Sequence, residues 1–138
     1  MYKTILLTVE GTQTDRVIIE HIKPLARLMK SRVVVLHVAT GVPAKYHGTD
    51  AAGKEVQESQ AYLDSVRTEL TAAGIRAEAE MAYGEPAKEI VKWVKEKGCD
   101  LVAMSTHGHQ ILADLVLGTT AIKVQHAISV PVLLLRAK

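Results

Sequence analysis

The chain of 138 residues has one cysteine, no phenylalanine and only 4 % aromatic residues. A lone thiol, Cys99, has no partner for an internal disulfide, which fits a reducing compartment. With so few rings the core must be aliphatic, and a stacking platform for bases is excluded. Long apolar runs are also missing: Val130 to Leu135 is among the longest and falls far short of a bilayer span. No sign of charge dominates. Acids and bases are interspersed and leave a net charge of +2, without the basic stripe that duplex binding requires. Met1-Tyr2-Lys3-Thr4 enters a strand pattern at once, so no signal peptide is expected. These features predict a cytoplasmic protein with no nucleic-acid partner and no membrane insertion.

Hydrophobic residues make up 48 % of the chain, enough for one domain, residues 1–138, with a real core. Thr4-Ile5-Leu6-Leu7-Thr8-Val9 predicts a first strand that Gly11 ends. Thr14 is placed to cap a helix whose apolar positions Val17, Ile18, Ile22, Leu25 and Leu28 keep roughly helical spacing. Pro24 lies inside that pattern and predicts a kink or a split near His21. Val33 to Val38 is nearly all apolar, as in a strand covered on both faces. Residues 40–53 carry Gly41, Pro43, Gly48 and Gly53 and predict a loop. A helix from about Lys54 to Ala73 follows, burying Val56, Leu63, Val66 and Leu70, with Gly74 as its stop. Arg76 to Ala82 alternates, which suits a strand near a sheet edge. Gly84-Glu85-Pro86 opens a helix that faces Ile90, Val91, Trp93 and Val94 inward and ends at Gly98. Leu101 to Met104 and Val130 to Leu135 complete five strands. Strands alternating with helices predict a doubly wound, open and mainly parallel sheet in three layers, α/β/α, a Rossmann-like fold.

In such sheets ligands bind beyond the carboxyl ends of the strands, where strand order reverses. The residues there are Thr8 to Gly11, Val38 to Thr40, and Ser105 to Gly108. A long loop runs from Ser105 to Gly118, and a helix begins near Thr119. The free N–H groups of that first turn form an anion site, with Thr119 as the expected cap. Gly108 lets a backbone approach a ligand closely. Spacing alone leaves two readings level: a phosphate cradle, or a turn glycine and an ordinary cap.

The stretch from Met104 to Thr119, MSTHGHQILADLVLGT, resembles the nucleotide motif of the universal stress protein family, G-x2-G-x9-G-[S/T]. Ile5 to Gly11, Leu36-His37-Val38 and Val130-Pro131-Val132-Leu133 resemble that family too, in the same order along essentially the whole chain. The resemblance implies an adenine nucleotide, ATP or else AMP or ADP, as ligand, and the fold of the adenine nucleotide alpha hydrolases. Carried over by position, Thr8, Glu10 and Val38 would line the base and ribose end. Met104, Ser105 and Gly108 would underlie ribose and phosphates, and Gly118 and Thr119 would hold the phosphates. Mg²⁺ would accompany the phosphates, and a homodimer would form through the last strand, Val130 to Leu135. Two positions depart from the pattern. Ser105 replaces the first motif glycine, and its side chain either crowds the ribose or supplies a hydroxyl contact. Glu10 stands where the family usually has Asp, moving the carboxylate by about one bond length.

Other signals are weaker. His107 and His109 lack a third fixed ligand and make a poor zinc site. His37, inside a strand, reads as a satisfied core histidine. Cys99 has no base beside it in sequence, as a nucleophile would need. Asp15, Glu58 and Glu69 read as solvated helix faces. No Walker-type loop and no nucleophile elbow is present. The expected role is therefore a stress-response or regulatory protein that binds nucleotide without being an enzyme, at most a slow ATPase. The alternative is a stress protein that no longer binds nucleotide and acts through protein–protein contacts.

Overall fold

The computed structural model describes residues 1–39, 51–106 and 119–137, with the backbone alone at 51, 52 and 119. The elements run β1 (Thr4–Thr8), α1 (Asp15–Met29), β2 (Arg32–Ala39), α2 (Ala51–Ala72), β3 (Arg76–Tyr83), α3 (Pro86–Lys97), β4 (Leu101–Thr106), α4 (Thr119–Ala127) and β5 (Val132–Arg136). The five strands form one sheet in the order β3-β2-β1-β4-β5, and every neighbouring pair is parallel. Chain order reverses between β1 and β4.

Side-chain alternation along the strands divides the core in two. Ile5, Leu7, Val33 and Val35 pack under α1 and α2 with Ile18, Ile22, Leu63 and Leu70. Leu6, Val34, Leu36 and Val102 pack on the opposite face with Ile90 and Val94 of α3 and Val124 of α4. The central strands are apolar at successive positions because each face has helices over it. Each fully buried Ile or Leu in these layers contributes about 1.5–3 kcal/mol through removal from water.

Both end strands match their sequences. β3 turns Ala77, Ala79 and Met81 toward the α1/α2 layer. Glu78, on its other face, is paired with Arg32 at 3.3 Å and Lys97 at 3.4 Å. That alternation fits a strand covered fully on one side only. β5 is half-buried along Val132 to Leu135. It begins two residues later than expected from Val130: Pro131 has no N–H to give, and only its carbonyl joins the ladder, accepting from Val102 N at 3.0 Å.

Helix α1 corrects two expectations. It continues through Pro24 from Asp15 to Met29 without splitting near His21. Pro24 and Glu20 lie on the solvent side, where water can take the place of the helical donor that the Glu20 carbonyl loses. Leu28, expected on the buried face, is 74 % exposed, and Ile19 and Ala26 are buried instead. The apolar stripe follows Ile18, Ile19, Ile22 and Ala26, a true helical period. α1 ends with Lys30 in the left-handed region, φ 57°. α3 is closed at both ends by local chemistry. The Glu85 side chain accepts from Ala87 N at 3.2 Å and Lys88 N at 3.0 Å, and Gly98 takes φ 64° at the other end. α2 starts earlier than expected, at Ala51 instead of Lys54, so Gly53 is helical rather than loop.

Candidate functional site

β1 sends the chain to α1 on one face of the sheet, and the neighbouring β4 leads on to α4 on the other. The carboxyl ends of β1 and β4 therefore flank the point where a doubly wound sheet opens a crevice. Thr8 stands at the end of β1, where its Oγ1 donates to Ala103 O at 3.5 Å. Met104, 6 % exposed, and Ser105 stand at the end of β4 beside it. Ser105 Oγ is buried and has no hydrogen-bond partner among the described residues. A buried hydroxyl without a partner forfeits about 1–3 kcal/mol of solvation, a deficit that a polar ligand atom would remove.

A cleft of about 340 Å³ adjoins this crevice, between the turn after β1, the end of β2 and the first half of α2. Its walls include Glu10, Gly11, His37, Val38, Glu58 and Tyr62. Of the residues expected from sequence, Glu10 and Val38 thus meet in one cleft, and Thr8, Met104 and Ser105 lie at the adjoining strand ends. Gly108 and Gly118 lie outside the described residues. Thr119 is where the described part of α4 begins, and the residue before it lies outside the described residues.

The turn that carries Glu10 is held by a residue that the sequence reading misplaced. Asp15, expected on a solvated face, has 0 % exposure. Its carboxylate accepts Glu10 N at 2.9 and 3.1 Å, Gly11 N at 2.8 Å and the Tyr62 hydroxyl at 2.6 Å. A buried carboxylate survives only with such donors, and it organises whatever supplies them. Gly11 has φ +88°, a conformation that L side chains rarely adopt. Burial, and then the bond to Asp15, push the Tyr62 hydroxyl well above its ordinary range, so it stays a donor. One step back, Val9 N donates to Leu36 O at 3.0 Å, and Val9 O lies 2.9 Å from His37 Nδ1. A carbonyl only accepts, so Nδ1 carries the proton. His37 is satisfied, as expected, and its ring forms part of the cleft wall.

Glu69 is likewise no free surface acid. Arg16 donates to it through two nitrogens, at 2.9 and 2.7 Å, and Lys23 pairs with it too. The Arg16 hydrogen bonds, with Lys23 behind them, hold its carboxyl down to about 2. Glu58 is exposed on α2, as expected, and contributes to the cleft rim. Cys99 is buried, and burial pushes its thiol up to about 11. That suits a small core residue and no nucleophile. Asp15 and Tyr62 are the parts of the site that sequence did not flag. The spacing Gly11-x3-Asp15, an acid in a first helical turn just behind a turn glycine, was the available signal. Tyr62, 47 positions further on, carried none.

Comparison with known proteins now bears on this geometry. Residues 1–136 match the model of the Universal stress protein family. The universal stress protein MJ0577 of Methanocaldococcus jannaschii is 26 % identical over an alignment covering 100 % of this chain and 97 % of that protein. The universal stress protein YxiE of Bacillus subtilis is 28 % identical, covering 99 % and 100 %. The solved structure of MJ0577 superposes with a TM-score of 0.83 over 100 % of this chain and 98 % of its own. Two more distant structures share the fold. A universal stress protein in complex with cAMP has a TM-score of 0.76 at 17 % identity, covering 99 % of this chain and 98 % of that one. One from Archaeoglobus fulgidus in complex with dAMP has 0.72 at 19 %, covering 96 % and 97 %. Sheet order, switch-point architecture and match over nearly the whole chain agree: this chain belongs to the universal stress protein family.

Proposed function

We propose that this chain binds an adenine nucleotide, ATP or else AMP or ADP, as a regulatory, stress-response protein. The observation that carries the proposal is the cleft at the carboxyl ends of β1 and β2, whose walls hold Glu10 and Val38, two of the positions that the sequence motif gives to base and ribose. The Ser105 hydroxyl at the adjoining strand end, without a partner among the described residues, adds a polar group that a ligand could engage. Two relatives of the same fold are complexes with cAMP and dAMP, which supports an adenine ligand for this one. In this reading Thr8, Glu10 and Val38 hold base and ribose, Met104, Ser105 and Gly108 underlie the sugar, and Gly118 and Thr119 hold the phosphates.

Mg²⁺ is expected to ride on the phosphates, because clustered phosphate charge in a partly buried site needs neutralising. The ion would then owe most of its ligands to phosphate and water, and a chelator should weaken ATP binding while leaving adenosine unaffected. Turnover should be slow or absent, because phosphoryl transfer needs a positioned water or base and charge stabilisers, and the one acid that the resemblance gives to the site, Glu10, falls at the base and ribose end. Hydrolysis at about ten per second, an ordinary enzyme rate, would contradict this part.

The test is direct. Protein purified without added nucleotide is denatured, and the supernatant is assayed for adenine nucleotides by mass spectrometry. Equilibrium binding of ATP is then measured for the protein and for Gly118→Val, whose side chain should fill the phosphate space and abolish binding. Unchanged affinity in Gly118→Val overturns the placement. No bound nucleotide and no measurable affinity favours the alternative role, through protein–protein contacts.

A further inference from the structure

The carboxylate that the proposed function assigns to the ribose is not self-positioning. Glu10 lies beyond the end of β1, exposed, next to a glycine at φ +88°. A side chain on such a turn selects among ligand hydroxyls only if its backbone is fixed, because an acceptor misplaced by an ångström loses most of its discrimination. Two groups outside the expected site supply that fixation. Asp15, with no exposed surface, takes the N–H groups of both Glu10 and Gly11. The Tyr62 hydroxyl, at 2.6 Å, ties the same carboxylate to α2, the opposite wall of the cleft.

We propose that Asp15 and Tyr62 are positioning residues for ribose recognition: they act through Glu10 and, by joining α1 to α2, set the distance between the two walls that grip the ligand. This inference rests on the reading of the cleft as the base and ribose end of an adenine-nucleotide site. Asp15 itself does not reach the ligand, since both its oxygens are occupied by protein donors. Tyr62 contributes to the cleft wall while its hydroxyl is engaged by Asp15. The two residues are 47 positions apart, so the pair is a tertiary device and not a helix cap. Losing the hydroxyl leaves the Asp15 carboxylate one donor short in a buried site, and the turn relaxes toward other donors.

The experiment compares the dissociation constants of AMP and of 2′,3′-dideoxyadenosine monophosphate, which lacks the ribose hydroxyls, for the unaltered protein, Glu10→Ala, Tyr62→Phe and the double variant. A carboxylate accepting a ribose hydroxyl gives a preference for AMP of about tenfold or more. Glu10→Ala should remove that preference. Tyr62→Phe should reduce it at least about threefold, and the double variant should match Glu10→Ala alone, because both substitutions act on one interaction. A loss of stability or a roughened cleft wall would weaken both ligands alike and leave the ratio unmoved; that result overturns the inference while the ligand assignment stands. A ratio that Glu10→Ala leaves unchanged removes Glu10 from ribose recognition and overturns the inference together with that role of Glu10. Asp15→Asn should lower the ratio as Tyr62→Phe does, and Tyr62→Phe, which deletes one hydroxyl, carries the test if Asp15→Asn fails to fold.

Discussion

Two acids show what a residue's own position in sequence does and does not disclose. Asp15 and Glu69 each sit on a helix where an acid ordinarily faces water. Asp15 is instead fully buried against two backbone N–H groups and Tyr62, and Glu69 is gripped by Arg16 and Lys23. Tyr62 lies 47 positions from Asp15 and Arg16 lies 53 from Glu69, distances that no local pattern encodes, whereas the bonds from Asp15 to Glu10 and Gly11 are local and left a signal in the Gly11-x3-Asp15 spacing. Glu58, exposed on its own helix, was legible, and His37 is satisfied as expected, though by Val9 O, 28 positions away, and at the cleft wall instead of in the core. Glu69 makes a pH prediction. Its carboxyl is held at about 2, below its ordinary value of 4.5, mainly by hydrogen bonds from Arg16. A depressed carboxylate stabilises the fold above the unfolded value and loses that contribution as pH falls from about 4.5 toward 2. Because Arg16 is 43 % exposed, solvent screening reduces the effect. Glu69→Gln should therefore cost about 1 kcal/mol at pH 7 in urea unfolding, shrinking in high salt and vanishing near pH 2. An equal cost at both pH values would contradict the ion-pair account. Asp15→Ala is expected to cost more, about 3 kcal/mol, since it empties a fully buried position and takes the acceptor from two part-buried N–H groups and the Tyr62 hydroxyl; a loss below about 1 kcal/mol would mean the turn is held by something else. Cys99, with its thiol pushed up to about 11, should resist alkylation at pH 8 until the protein is unfolded.

At the scale of elements, most of the fold could be read directly. Val33 to Leu36 and Leu101 to Met104 are apolar at successive positions because helices cover both sheet faces, and that is visible without coordinates. Gly98 and the Glu85-Pro86 pair mark the ends of α3 because cap chemistry is local. The misses came where local rules were overridden. Pro24 did not break α1, because its missing bond faces water and the buried stripe of Ile18, Ile19, Ile22 and Ala26 holds the helix. The start of α2 shifted because Gly53 is buried inside a helix instead of ending a loop. The carboxyl end of α1 offers a check. Lys30 holds φ 57° there, a conformation that costs an ordinary residue about 1–2 kcal/mol and glycine almost nothing. Part of that gain is offset by glycine's greater freedom in the unfolded chain. Lys30→Gly should raise unfolding stability by about 0.5 kcal/mol, shifting the urea midpoint upward with an unchanged slope; a lower midpoint would show that the lysine side chain earns its place at that helix end.

At the scale of the whole molecule, β5 closes one end of the sheet, and no strand among the described residues pairs with its outer edge. Val102 N donates to Pro131 O, and Ala137 N donates to Thr106 O at 2.8 Å. In this parallel register the odd-numbered residues 131, 133 and 135 face β4, so the backbone groups of Val132 and Leu134 face outward. An apolar strand with a free ladder is an aggregation hazard unless a second copy pairs with it, and a two-fold axis is the closed solution. The homodimer proposed from sequence through Val130 to Leu135 has this edge as its natural seam. Sedimentation at micromolar concentration should show a dimer, and Leu134→Pro, which removes an outward N–H, should give monomer or insoluble protein. A clean monomer of the unaltered protein would contradict the seam. The central claim, however, is the ligand: Glu10 and Val38, both named from the sequence, line one cleft, whereas the Asp15–Tyr62 support beneath Glu10 exists only in three dimensions. Calorimetric titration of nucleotide-free protein with ATP in the presence of Mg²⁺ tests it most directly. The account predicts saturable binding of one ATP per chain that Gly118→Val abolishes; no heat and no saturation up to millimolar ATP, from protein shown to be folded and nucleotide-free, would contradict it.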